Sequence, residues 1–375
     1  MDFDFSDDQQ QLRDAVTRWV DKGYTFDRRR AITTAGGFDR AAYGELAELG
    51  LTALLVPTEH DGMGLGFVDA MVAMEELGRG LVLEPLAQAL MATTVLTQHA
   101  TADVQAQWLP RIASGEALVV LAYQERGARY KLEKCESKAA SAHDSYTLTA
   151  TKNMVPAGDQ ADAWIVPAML DGTNGPEMAL FLVARGAAGA SSAGHLCQDG
   201  SRAANVTLVN TPATLLTRDG LRALQQAIDV GTAALCAQAV GVMDKTIALT
   251  AEYLNTRKQF GVAIASFQAL RHRLADVKMQ LELARSMSYY ATLKLNAPDA
   301  ERSMALSRAK VQLGQSMRFV GQQSVQLHGG IGVTDEYIGS HYFKTLTQME
   351  MTFGDTLHHL GKVSEGMQET AGVFA

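Results

Sequence analysis

Apolar residues recur at helical spacing from the beginning of the chain. Ser6-Asp-Asp-Gln9 has the form of a capping box, in which the serine and glutamine side chains satisfy free amides at a helix start while the acids favour its dipole. Leu12, Val16, Trp19 and Val20 follow on one face, and further helical patterns run over Tyr43 to Gly50, Val68 to Leu77 and Pro85 to His99. From Glu116 to Thr217 the texture changes to short apolar runs, Leu118 to Tyr123, Tyr146 to Thr151, Ala163 to Ala168, Met178 to Ala184 and Asn205 to Val209, separated by Gly, Asn, Asp and Ser. These predict a small β domain, with the Gly-, Ala- and Ser-rich stretch Arg185 to Ser201 as a surface loop.

After Gly220 long helical patterns return. They cover Leu221 to Asn255, then Ser266 to Asn296 with Phe267, Leu270, Leu274, Val277 and Leu281 on one stripe, closed by Pro298. A third pattern carries Leu306, Leu313, Met317, Val320, Ser324 and Leu327, and a fourth runs from about His341 to Gly366. Four long amphipathic segments with short joins most simply pack as an antiparallel four-helix bundle. The expected α+β chain therefore has a helical domain over 1–115, a β domain over 116–220 and a helical bundle over 221–375.

At 375 residues the chain is long enough for two or three packed units. Its 33 basic against 41 acidic residues, a net charge of -8, and a pI near 5.6 argue against a polyanion-binding surface, so nucleic acid is not an expected partner. Three scattered cysteines, Cys135, Cys197 and Cys236, give neither zinc spacing nor a disulfide framework and suit a reducing cytoplasm. The acidic start Met1-Asp-Phe-Asp-Phe-Ser-Asp-Asp lacks the basic and apolar segments of a signal peptide, and no eighteen consecutive residues are apolar, so no membrane association is expected. His272, His328, His358 and His359 are not arranged as a ligand set, and no metal is expected.

Candidate chemistry concentrates in two motifs. Tyr253-Leu-Asn-Thr-Arg257-Lys-Gln259-Phe260-Gly261 puts an arginine at a helix-helix corner with glycine behind it, where a planar guanidinium can hold phosphate oxygens. Gln326-Leu-His328-Gly329-Gly330 ends another helix with glycines that let a ligand approach the backbone. Alone, a corner arginine is more often solvated and a glycine pair more often a turn. Gly62-Met-Gly64-Leu-Gly66 lacks dinucleotide-fingerprint spacing and reads as a structural turn.

Both motifs, with Pro57 to Gly66, Glu75-Glu76-Leu77-Gly78 and Ser266-Phe267-Gln268 to Asp276, resemble the acyl-CoA dehydrogenase family over the whole chain. Met1-Asp-Phe-Asp-Phe-Ser6, Arg285-Ser-Met287, Val320-Gly-Gln-Gln323 and His341-Tyr-Phe-Lys344 are similar to a subgroup containing small subunits of pimeloyl-CoA dehydrogenase. The resemblance implies an N-terminal helical domain, a barrel-like middle domain and a C-terminal four-helix bundle. It implies FAD as cofactor, an acyl-CoA substrate, a second acyl-CoA dehydrogenase subunit in a homo- or heterotetramer, and an electron-transfer flavoprotein as acceptor. It further implies that Arg257, Gln259, Phe260 and Gln268 reach the adenosine diphosphate part of an FAD bound mainly by the neighbouring subunit, and that Gln326, Gly329 and Gly330 line the same cofactor.

Two departures from the family pattern bear on function. Leu121-Ala-Tyr123-Gln124-Glu125-Arg126 stands where a flavin-contacting Thr-Glu-Pro strand belongs, and Lys152-Asn-Met154-Val-Pro156 lacks the family's aromatic shield at Met154 and hydroxyl donor at Pro156. The reaction also needs a carboxylate to take the proton α to the thioester. The family's common glutamate position falls on Phe353, and its alternative position, on the helix before Tyr253, falls near Gly231. Gln238, two turns beyond Gly231, stands where the subgroup has a glutamate and can hydrogen-bond but not act as base. Asp229 and Asp355 are the nearest carboxylates and the candidate bases, each with a helix-end or loop acid as the plainer reading. The chain is therefore expected to be a dehydrogenase subunit, with a catalytically silent partner of a base-bearing subunit as the alternative. A DNA-associated flavoprotein of this fold would need a basic C-terminal face that the sequence lacks.

Overall fold

The computed structural model describes residues 5–142, 145–172 and 175–370; residues 1–4 of the subgroup wording lie outside them. The chain opens with helices α1 (Asp7–Gly23), α2 (Phe26–Ala35), α3 (Arg40–Glu48), α4 (Phe67–Arg79), α5 (Leu86–His99) and α6 (Ala102–Ala113). Strands follow: β1 (Val119–Leu121), β2 (Lys138–Ala142), β3 (Ser145–Pro156), β4 (Ala163–Gly172), β5 (Gly175–Ala184), β6 (Ala190–Leu196) and β7 (Arg202–Thr217). Then come α7 (Gly220–Thr256), the two-residue strands β8 (Lys258–Gln259) and β9 (Val262–Ala263), α8 (Gln268–Leu293), α9 (Asp299–His328), α10 (Ile338–Met351) and α11 (Thr356–Thr370). The expected order of helices, β barrel and helical bundle is present, and α1 starts on the expected capping box, with Ser6 Oγ accepting from Gln9 N and Gln9 Oε1 accepting from Ser6 N.

By compactness the chain forms two units, Met1–Arg29, Met71–Val82 and Thr232–Ala375 in one, Arg30–Ala70 and Leu83–Gly231 in the other. The second unit contains the sheet. Its pairings β4-β2-β3-β7-β5 return to β4 and close a ring, with β1 added on β4 and β6 on β7. Inward side chains fill it in alternation, Leu148 and Ala150 from β3, Trp164, Val166 and Ala168 from β4, Ala179, Phe181 and Val183 from β5, and Val206 and Leu208 from β7. The Trp164 indole N–H donates to Gly158 O at 2.7 Å, so the largest buried ring leaves no polar atom unsatisfied.

In the other unit four helices share one core. Leu235, Ala239, Val242 and Met243 of α7, Val277, Leu281 and Ala284 of α8, Leu313, Met317 and Val320 of α9, and Tyr342, Leu346 and Met349 of α10 recur in steps of three and four and bury against one another. Each buried Leu, Val or Met contributes roughly 1.5–3 kcal/mol. Helix α4 packs against α7 backbone to backbone. A Cβ at Gly78 would lie 2.0 Å from Gln238 O and one at Gly241 1.8 Å from Glu75 O, so both positions require glycine. Helix α7 is long and apolar enough to cross a membrane by composition, yet 89% of its most apolar window is buried in the protein.

Two sequence expectations are corrected. The stretch Arg185 to Ser201 contains β6, paired along its length with β7, where a loop was expected; its Ala, Ser and Gly residues lie on an edge strand that contributes little to the core. The fourth helical pattern, His341 to Gly366, is two helices, because Phe353 and Gly354 adopt left-handed backbone (φ 60° and 113°) and Asp355 caps a new helix, its Oδ1 accepting from His358 N at 2.8 Å. The Gly62 to Gly66 segment is the expected structural turn, held by Gly64 N to Val56 O and Gly66 N to Asp69 Oδ2.

Candidate functional site

The first motif forms where α7 runs out. Arg257 N still bonds back to Tyr253 O, and the chain then reverses through the β8–β9 hairpin, whose central residues Phe260 and Gly261 both have positive φ (53° and 80°). That is the backbone of a type I′ turn, easy for Gly261 and costing a side-chain-bearing residue about 1–2 kcal/mol. Phe260 occupies the costly position and is 91% exposed, with its ring edge-on to Phe267 at 6.1 Å between centroids. Gln259 and Gln268 are exposed nearby, and the Arg257 guanidinium, also exposed, makes no ion pair among the described residues.

The second motif ends α9. Gly329 has φ 65° and begins a short 3-10 turn, Gly329–Val333. Nothing lies within 4 Å of a Cβ built at Gly329 or Gly330, and Gln326 is exposed. Sequence reasoning gave His328, between them, no role. Its ring lies against Tyr253, with centroids 4.6 Å apart and planes tilted by 31°, and against Tyr337 at 5.1 Å, so it joins the two motifs.

Phe353 and Asp355 lie on the turn between α10 and α11. Phe353 is packed against the bundle core. Lys310, fully buried on α9, donates from Nζ to Met349 O, Glu350 O and Gly354 O at 3.1, 2.8 and 2.8 Å, closing the carbonyl end of α10. Burial pulls its pKa down to about 8. His359 holds the other side, with Nε2 at 3.1 Å from Phe353 O and Nδ1 at 3.2 Å from Ser307 Oγ; burial, with Lys310 and His358 close by, lowers its pKa to about 3. The Glu350 carboxylate accepts from Thr356 N and Thr356 Oγ1, which fixes the start of α11. The turn is rigidly built, and its central side chain cannot take a proton.

Asp229 lies elsewhere, buried in α7 in the unit that carries the barrel, with Oδ1 accepting from Gln225 Nε2 at 2.9 Å. Gly231 is a buried interior position of the same helix. Both candidate acids thus have hydrogen-bonding duties already.

On the barrel, the segment after β1 is tied to β3 by Asn153 N donating to Gln124 O at 2.8 Å. The β3–β7 register slips between Lys152 and Val155, a bulge at which Met154 takes φ 53° and turns outward. Beneath it Lys152 Nζ and Glu125 Oε1 form a fully buried ion pair at 2.6 Å. Burial disfavours the Glu125 carboxylate, but hydrogen bonds from Lys152 and Ser137 outweigh it and bring the pKa to about 2. Among the described residues no group of three or more His, Cys, Asp or Glu side chains could hold a metal.

A signal for the two buried lysines was present in the sequence. Lys310 falls on the apolar stripe of Leu306, Leu313 and Met317, and Lys152 on the inward alternation of Leu148 and Ala150. A cation on a buried face must have dedicated acceptors.

Comparison with known proteins matches residues 6–116 to "Acyl-CoA dehydrogenase, N-terminal domain" and residues 218–368 to "Acyl-CoA dehydrogenase, C-terminal domain". A solved variant of the Tcur3481-Tcur3483 steroid ACAD is 30% identical, covering 97% of this chain and 98% of its own, at a TM-score of 0.88. The ChsE4-ChsE5 complex from Mycobacterium tuberculosis is 26% identical over 98% of this chain and 99% of its own, at a TM-score of 0.89. Acyl-CoA dehydrogenase FadE27 from the same organism is 26% identical over 99% of this chain and 100% of its own length. With near-complete coverage of both chains at 30% identity, and the same arrangement of helices, barrel and bundle, this chain belongs to the acyl-CoA dehydrogenase family.

Proposed function

We propose that this chain is a subunit of a heteromeric FAD-dependent acyl-CoA dehydrogenase that forms an α,β-double bond in an acyl-CoA, and that the proton-abstracting carboxylate belongs to the other subunit. The observation that carries this reading is the turn at Phe353, where the family's base position holds a ring packed on the bundle core while Asp355 caps α11 and Asp229 is bonded to Gln225. Two of the similar solved proteins are named as pairs of components, which supports a heteromer.

The bundle residues fit the adenosine diphosphate end of FAD. The exposed Arg257 guanidinium, which makes no ion pair among the described residues, the exposed amide of Gln326 and open backbone at Gly329 and Gly330 offer donors and access to an anionic diphosphate. The exposed Phe260 ring has an apolar face for the adenine. The ring-binding end fits less well, since Met154 turns outward on its bulge and Pro156 has no hydroxyl. When bound, FAD would supply the acceptor for the hydride of the substrate β-carbon. Arg257 and Gln326 would hold the diphosphate, Phe260 would pack against the adenosine end, and Gln259 and Gln268 would supply further amide contacts.

A steroid side-chain acyl-CoA is the substrate that the similar steroid ACAD supports. Subgroup wording supports pimeloyl-CoA or another dicarboxylyl thioester, and a fatty acyl-CoA completes the set to be tried. The reading includes an electron-transfer flavoprotein as acceptor and a cytoplasmic setting.

The test is the visible spectrum of the chain without oxygen, purified alone and together with a base-bearing subunit, before and after each of these thioesters is added. Bleaching only in the mixture is expected. Bleaching by the chain alone would show a working base of its own, and Asp229→Asn and Asp355→Asn would then separate the two candidates. Phe353→Glu, which puts an acid on the already rigid turn, tests the same point from the other direction by conferring bleaching on flavin-loaded protein.

A further inference from the structure

His328 is the last residue of α9 and is buried. Its Nδ1 lies 2.8 Å from Ser324 O, which can only accept, so Nδ1 carries the hydrogen. In the neutral ring favoured by burial, Nε2 is then the acceptor for the Tyr337 hydroxyl at 2.9 Å. Tautomer and ring orientation are both fixed.

The partners of that ring are the ends of three helices. Tyr253 stands one turn before Arg257, and Tyr253 O receives Arg257 N, so the stacked tyrosine belongs to the same helical turn as the guanidinium. Gln326 and Gly329 flank His328 on its own chain. Tyr337 caps α10, and its carbonyl accepts from Ser340 Oγ and Ser340 N. Beside the imidazole, packing is incomplete. A small cavity between α7 and α9 is lined by Thr246, Leu249, Ser324, Val325, His328 and Gly332, among others, and the buried Ser324 Oγ has no hydrogen-bond partner among the described residues. The contact of the His328 ring with Tyr253 spans the two motifs, and the hydrogen bonds to Ser324 O and Tyr337 hold the imidazole in place for it.

We propose that His328 is a positioning residue that sets the placement of Arg257 relative to Gln326, Gly329 and Gly330, and so the spacing at which the chain grips a diphosphate. This rests on the flavin reading above. If it holds, the contribution of Arg257 to FAD affinity depends on the imidazole, although the two side chains do not compete for any partner.

The experiment is a double-mutant cycle on FAD affinity, read by flavin fluorescence during titration of the full chain assembled with its partner subunits, with the melting temperature followed in parallel. Arg257→Met, His328→Leu and the pair are compared. Each single change is expected to weaken FAD binding by roughly tenfold or more, and Arg257→Met is expected to add little once His328 is Leu. A residue that merely stabilises the bundle would lower the melting temperature while leaving the Arg257 effect intact, and multiplicative losses would overturn the proposal. If Arg257→Met alone leaves FAD affinity unchanged, the flavin reading itself fails, an outcome distinct from loss of the coupling. Should His328→Leu not fold, Tyr337→Phe removes only the hydroxyl that orients the imidazole; it is expected to reproduce a smaller loss with the same non-additivity, and unchanged affinity in that variant would count against the proposal.

Discussion

Lys152→Met should be among the most damaging single changes in the barrel. The ammonium is fully buried 2.6 Å from Glu125 Oε1, and without it a carboxylate that is only 6% exposed is left without its cation. Removing one member of a buried pair costs about 3–5 kcal/mol. The lower end applies here, because Ser137 Oγ at 2.6 Å, Glu136 N at 2.6 Å and Ser137 N at 3.3 Å still donate to the carboxylate. Adding Glu125→Gln removes the stranded charge and keeps one acceptor oxygen for the Ser137 donors while setting an amide NH2 toward Glu136 N, so the double variant should be more stable than Lys152→Met, by roughly 1–2 kcal/mol. Hydrogen exchange at β3 and β7 amides reads this unit without requiring the whole chain to unfold in one step. The pH dependence gives a second check. With a folded pKa of about 2, below its ordinary value, Glu125 contributes stability that is present above the ordinary carboxylate range and lost as pH falls through 2. In Lys152→Met that loss should move to higher pH. A cost below about 1 kcal/mol, or a double variant no better than the single, would refute the idea that this pair holds the barrel beneath the bulge.

Other outcomes follow from the same geometry. Protonation of His359 is disfavoured in the folded chain, so stability should be full above the ordinary histidine value and fall as pH drops from about 6.5 toward 3, by up to about 1.4 kcal/mol per pH unit; urea titrations of wild type and His359→Gln should diverge in that window and run parallel above it. Phe260→Gly relieves a left-handed phenylalanine that buries little, so it should leave thermal stability unchanged or raise it by up to about 1 kcal/mol while weakening FAD binding; a stability loss with unchanged FAD affinity would contradict both halves. Gly241→Ala sets a Cβ 1.8 Å from Glu75 O where only backbone could yield, and should cost about 3 kcal/mol or more, seen as a clear fall in melting temperature.

Much of this was legible because the bundle helices and inward barrel strands carry large apolar residues at a strict period. Helices α7, α8 and α9 lie where Leu, Val and Met recur in threes and fours, and β4 and β5 where β-branched and aromatic residues cluster. Strands β2 and β6 escaped notice because Lys-Ala-Ala-Ser-Ala and Ala-Ser-Ser-Ala-Gly-His-Leu pair through backbone alone and bury almost nothing. The α10–α11 break was hidden because Phe353, an apolar residue in phase with its neighbours, takes a backbone conformation that phenylalanine rarely adopts. In the site, Arg257 and the Gly329-Gly330 pair announce themselves by residue type. His328 does not, since its importance comes from the tyrosine rings against it, and Tyr253, which ties it to the Arg257 motif, is far from it along the chain.

The closed ring of strands has a consequence for how the chain reaches its native state. The antiparallel β4–β5 pairing runs over ten residues of each strand, ending at Gly172 with Gly175, which are close along the chain, so it can zip from that end. Ring closure cannot: Tyr146 must find Ala213, and Lys138 must find Met169 in a parallel alignment that no short turn can guide. Such pairings carry the full entropy of loop closure before any contact offsets it. Until they form, the unpaired edges of β2, β3 and β7 remain templates for association with other chains. The slow phase of refolding should therefore belong to the barrel, and aggregation during refolding should track the lifetime of the open ring.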